Sequence, residues 1–135
     1  MPVPYGFGVG VFVAVGTLAW NVYKSCKAAP GSFSNISNEV LSLHAVLKEA
    51  EETIFRSPLP PKRQERLKTI DDGCQSMLSD LQALVDRYEN LGTQSKRTWD
   101  RIKWGAEDII EIRSRLISNT TMLTAYIRWA PFLST

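Results

Sequence analysis

The residues able to do acid–base, nucleophilic or metal chemistry are few, and their spacing does not suit any of it. His44 is the single histidine, and no Ser-His-Asp or Cys-His arrangement can be assembled around it from the sequence. It is expected to be a satisfied or solvent-edge residue beside the apolar seam of a helix. Cys26 and Cys74 are the only cysteines. They lie far apart without CxxC spacing, so they form neither a zinc site nor a disulfide framework and are expected as reduced core thiols. Asp71-Asp72 and Glu107-Asp108 imitate paired carboxylates. Adjacent positions on a helix point about 100° apart and do not converge on a substrate, so both pairs are expected on solvated faces. Gly6, Gly8 and Gly10 follow no strand, and no Walker loop, HExxH or EF-hand pattern is present. The chain therefore reads as a non-enzyme, with no catalytic, cofactor-binding or metal residues and no cofactor.

Charge points to partners only weakly. Lysine and arginine number 16 against 14 acidic residues, a net +2 spread evenly along the chain, which leaves no nucleic-acid footprint. Two basic clusters stand out, Lys62, Arg63, Arg66 and Lys68, and Lys96, Arg97, Arg101 and Lys103. They read as wet helix starts or, alternatively, as a surface for anionic lipid or an acidic partner. Trp99 and Trp104 beside the second cluster favour neither, because tryptophan serves cores and membrane interfaces alike.

The elements that position these groups are all helices. Residues 1–23 contain no charge at all, and Pro2 and Pro4 hold their start extended. A first helix is expected from about Gly8 or Gly10 to Ala29, ended by Pro30-Gly31. In the next segment Phe33, Ile36, Val40, Leu43, Leu47, Ala50 and Ile54 recur in steps of three and four, one narrow seam, with Ser34 and Ser37 as capping hydroxyls. Ser57-Pro58-Leu59-Pro60-Pro61 stops it. The pattern returns at Leu67, Ile70, Cys74, Met77, Leu81, Leu84, Tyr88 and Leu91, predicting a long helix over 62–91 with Gly92 as its stop and Gly73 as a weak point or, because its neighbours keep the register, a close-packing site. Last comes a short helix carrying Trp99, Ile102 and Trp104, a kink or break near Gly105, and a long helix with Ile109, Ile112, Leu116, Asn119, Leu123 and Tyr126 inward. Seams this narrow cannot be buried by isolated helices. The expectation is one all-α domain over residues 1–135, an antiparallel bundle of four to five helices in which 1–23 is an apolar N-terminal segment and 24–135 supply amphipathic helices.

The neutral segment has three readings. Its helix is buried at the centre of the bundle, apolar all round because the others surround it. Or it spans a bilayer, for which Gly8 to Tyr23 is short of the ~20 residues required although 1–23 together suffice. Or it is conditional, resting in the bundle and entering a membrane on activation. Phe7, Val9, Val11, Phe12, Val13, Val15, Leu18 and Trp20 would then insert, with Trp20 and Tyr23 at the interface and Lys24 and Lys27 just outside. Gly6 with Gly10, and Gly10 with Ala14, are small-xxx-small pairs that suit self-association in lipid. The segment lacks the basic start of a secretory signal, so a cytoplasmic location is expected and the sequons at Asn35 and Asn119 are not read as glycosylated.

The block GFGVGVFVAVGTLAWNVYKSCKAAPGSFSNISNEVLSLHAVLKEAEE, the later RIKWGAEDIIEIRSRL and the run MLTAYI resemble the HeLo-like N-terminal domains of fungal NLR-type (STAND) receptors. The resemblance spans almost the whole chain and is most specific in the first block. It implies a helix bundle preceding a nucleotide-binding oligomerisation module or ankyrin-type repeats. It also implies a role in immunity-like recognition and regulated cell death, with conditional action at the plasma membrane, self-association and contact with other signalling proteins. Members often carry an acid shortly after the opening Val-Gly, where this chain has Val11 and no acid before Glu39. Insertion or leakage is expected rather than a pore lined by N-terminal carboxylates.

Overall fold

A computed structural model describes the backbone of residues 9–29, 32–56, 59–90 and 95–133, with side chains described throughout these except at 32, 55, 90, 95–108 and 129–133. Four α-helices follow one another: α1 (Val9–Ala28), α2 (Ser32–Thr53), α3 (Pro61–Asn90) and α4 (Ser95–Leu133), with one 3-10 turn (Ile54–Arg56) closing α2. No strand occurs among the described residues. Phe7, Gly6, Gly8 and Gly92, and the side chains of Trp99, Trp104, Glu107, Asp108 and the second basic cluster, lie outside the described residues, with the expectations placed on them.

The seams predicted by three-and-four spacing are the core. Every one of Phe33, Ile36, Val40, Leu43, Leu47, Ala50 and Ile54 is buried, as are Leu67, Ile70, Cys74, Met77, Leu81 and Leu84, and Ile109, Ile112, Leu116, Leu123 and Tyr126. Proline opens α3 at its first position, where the missing N–H has no helical partner to lose. Gln64 N–H donates to the Pro60 carbonyl at 2.9 Å and starts the ladder.

The helices pack as a ring, α1 on α2, α2 on α4, α4 on α3 and α3 on α1. On α3 and α4 the partners step in opposite directions. The Tyr126 hydroxyl donates to the Arg63 carbonyl at 3.0 Å, the Asn119 amide to the Gly73 carbonyl at 3.4 Å, and Arg115 pairs with Asp80 at 2.8 Å. Gly73 is the close-packing site its register suggested, since a β-carbon there would stand 3.1 Å from Asn119 Oδ1.

Four expectations need correction. Gly105 does not break the last segment, because α4 runs unbroken for 39 residues. A lone glycine costs a helix only about 1 kcal/mol, less than the surrounding turns and packing supply. Ser34 and Ser37 do not cap α2, which has already begun at Ser32, and the Ser37 hydroxyl donates back to the Ser34 carbonyl at 2.6 Å. Arg63 is not a wet helix start but is 9% exposed, its guanidinium 4.9 Å from the centre of the Tyr126 ring. Asp71 does not lie on a solvated face. It is fully buried while Asp72 stays outside and pairs with Lys68 at 2.9 Å.

Candidate functional site

Helix α1 is the element whose composition demands an explanation, and its two faces answer differently. Phe12, Val15, Gly16, Ala19, Val22 and Cys26 are buried, the step pattern of one inward stripe. Val13, Leu18 and Tyr23 are half-buried, and Lys24 and Lys27 are exposed. Val9 and Val11 are each 47% exposed and Trp20 is 40% exposed, although nothing charged lies among them. They stand on opposite flanks of an exposed arc made by Gly10, Ala14, Thr17 and Asn21, all uncharged, where an ordinary surface helix turns charge to water.

The expectation of a central helix surrounded on all sides is therefore not met. Only 33% of the best membrane-length window of α1 is buried, because α2 and α3 cover two flanks and leave the third open. Among the described residues α1 is the one helix long and apolar enough to cross a bilayer. At 20 residues it measures about 30 Å, the thickness of a hydrocarbon core.

At its lower half α1 is clasped by aromatic contacts. The Trp20 ring stands 5.2 Å from that of Tyr23 and 5.2 Å from that of His44 on α2, and Lys27 Nζ lies 5.7 Å over Tyr23. A cleft of about 190 Å³ opens beside them, with Val13, Gly16 and Thr17 on one wall and His44, Lys48 and Glu51 on the other. Burial, then the nearby Lys48 charge, lower the His44 pKa below its ordinary 6.5. The folded state thus prefers neutral imidazole, and the small stability this contributes is lost as pH falls through the ordinary histidine range. Burial pushes both thiols up to about 12, which leaves Cys26 and Cys74 unreactive while the bundle is closed.

The glycines of α1 are not required by this packing. No neighbouring atom lies within 4 Å of the place where a β-carbon would stand at Gly10 or Gly16. Each glycine therefore weakens the helix with no close approach to compensate it. Gly16→Ala is expected to stabilise the closed bundle by about 0.5–1 kcal/mol, read as a shift in denaturation midpoint without a change in slope. Loss of stability in that variant would mean that the cleft cannot accept a methyl group.

A second feature lies at the same end as the start of α1. Val13 shares its cleft with Glu51, so the first turns of α1 lie beside the last of α2, and only residues 54–60 separate those from the start of α3. There an open trough of about 880 Å³ runs between α3 and α4 over Ile70, Met122, Ala125 and Tyr126, with Lys62, Glu65 and Arg66 on its lip. Among the described residues no three His, Cys, Asp or Glu side chains gather as metal ligands.

No family model, curated protein or solved structure matches this chain. The functional reading therefore stands on α1 and on the resemblance of the sequence blocks.

What sequence spacing missed is a second inward stripe on α3. Asp71, Leu78 and Val85 are all buried at seven-residue intervals, beside the seam already counted. The heptad signal was present, but the charge of Asp71 masked it.

Proposed function

We propose that this chain is the N-terminal signalling and effector domain of a fungal immune-type receptor of the HeLo-like class, acting in regulated cell death. Oligomerisation imposed from outside the domain frees α1 with the residues preceding it, and the freed segment inserts into the plasma membrane and permeabilises it. The domain rests in the cytoplasm as an antiparallel four-helix bundle, a reading supported by the opposed pairings along α3 and α4. Membrane lipids, further copies of the chain and other signalling proteins are its partners, and it has no catalytic step.

The observation that carries this reading is the uncharged, half-open surface of α1 before Lys24. Val9, Val11 and Trp20 face water without a charge among them, while Phe12 and Val15 hold the same helix in the core. A helix with apolar residues on both faces gains by moving into hydrocarbon, where burial continues at roughly 25 cal/mol per Å². Exposed Lys24 and Lys27 would stop it at the anionic leaflet, and the lysine and arginine on the lip of the α3–α4 trough flank its point of entry. Gly10 and Gly16 keep the resting helix easy to detach.

A reversible tether tests it. Trp20→Cys combined with His44→Cys puts one thiol on each helix at positions whose rings now stand 5.2 Å apart, for joining by a short bis-methanethiosulfonate cross-linker that reductant removes. The cross-linked protein is expected to release no dye from vesicles containing phosphatidylserine, and reductant is expected to restore release in the same sample. Equal leakage from both forms would overturn the requirement that α1 leave α2.

A second reading, a soluble interaction or oligomerisation module, is favoured by the six buried residues on α1, which make it part of the core. It predicts that the untethered protein ignores vesicles at any concentration.

A further inference from the structure

The α3 side chain that faces α1 includes a carboxyl group with nothing to hold it. Asp71 has no solvent exposure, and neither of its carboxylate oxygens has a hydrogen-bond partner. Its direction follows from helix geometry. Gly73 marks the α4 side of α3 through its contact with Asn119, and two residues at 100° each turn Asp71 about 160° away from it. Only α1 and α4 pack extensively on α3, so the burial of Asp71 is supplied by α1.

That surface offers the carboxylate no relief. Helix α1 carries no ionisable residue before Tyr23. On α4 the inward residues opposite are Leu116, Asn119 and Leu123, all neutral, and Arg115 is engaged with Asp80. On α2, His44 sits across α1 against Trp20, away from α3. The charges that act on Asp71 are those of its own helix: Asp72 opposes its ionisation and Lys68 favours it. A buried, unpaired carboxylate is among the costliest groups a core can hold.

We propose that Asp71 is a carboxyl latch under α1: protonated, it lets the helix stay seated, and ionised, it drives the helix off α3. The latch rests on the reading that α1 detaches, and it adds a control that a purely mechanical release would lack. Its direction is opposite to that of an acid-triggered switch. Burial, with Asp72, raises the Asp71 pKa from 3.8 to about 7. The closed state therefore binds the proton more tightly than the open one, and opening releases it. Detachment is favoured as pH rises from about 4 to about 7 and levels off above, so slight acidification secures the resting state and neutral pH primes it.

Amide hydrogen exchange of the intact chain in solution, without lipid, tests this separately from membrane activity. Asp71→Asn keeps the shape and cannot ionise, and Asp71→Leu gives a second neutral variant. Comparing wild type with each variant at the same pH cancels the intrinsic pH dependence of exchange and the contribution of His44. The opening of α1 in wild type relative to Asp71→Asn is expected to rise about tenfold per pH unit between pH 5 and 7 and then flatten, while α4 changes little. Both variants are expected to melt at a higher temperature than wild type at pH 8. An unchanged ratio across pH, an equal rise in all four helices, or neutral variants that are less stable at pH 8 would each overturn the latch. Loss of dye release with this pH pattern intact would count against membrane insertion alone.

Discussion

Val11→Asp is expected to leave the bundle folded and to lower dye release from vesicles by about 100-fold, whereas Val15→Asp is expected to unfold it. Val11 is 47% exposed and lies in the first turn of α1, where a carboxylate meets the positive end of the helix dipole. Its effect on folding should stay within about 0.5 kcal/mol. The same residue falls near the middle of the uncharged stretch 1–23, where an aspartate resists insertion by about 3 kcal/mol, and each 1.4 kcal/mol is tenfold. Val15 is 2% exposed, and a charge there enters the core with no partner, at a cost of several kcal/mol. Circular dichroism melts check the folding half and fluorophore release the membrane half. Undiminished release by folded Val11→Asp would remove insertion of α1 as the mechanism. The pair is informative because one side of one helix offers an exposed position in its first turn and a buried one a turn later, which separates membrane activity from stability.

Phe12→Ala is the second large effect. Phe12 has no solvent exposure and is one of the largest fully buried side chains in the protein. Replacing it is expected to lower unfolding free energy by about 3–5 kcal/mol, through lost transfer energy and the cavity left behind. It lies two turns from Ala19 on the inward stripe, so the loss falls on the seating of α1. Denaturant titration measures the loss. Labelling of Cys26 provides the local readout: its thiol, held at about 12 by burial, should react far faster once the helix loosens. An unfolding free energy within about 1 kcal/mol of wild type would show that Phe12 does not anchor α1.

The periodic seams were legible residue by residue, because the inward side of a helix recurs every three or four positions whatever it packs against. The ends of α2 and α3 were legible too, since the prolines between 57 and 61 act through local sterics. Gly105 misled because glycine propensity is a weak local preference that a long helix overrides. Asp71 and Arg63 misled for a different reason. A charged residue at a seam-adjacent position is ordinarily outside, and only a neighbouring helix lying across it puts it inside.

The sequence by itself determined that the chain is helical, which residues form the main inward seam of α2, α3 and α4, and that the first 23 residues carry no charge. Tertiary structure decided which side of α1 is covered. Composition makes Val11 and Val15 equivalent, and four residues apart they share one side of the helix, yet Val11 in the first turn meets water while Val15, one turn further in, meets the core where α2 and α3 pack on α1. It also decided that Asp71 lies under α1 without a partner. Both facts depend on which helices are neighbours, a property of packing between segments distant in sequence that no local pattern of residues encodes.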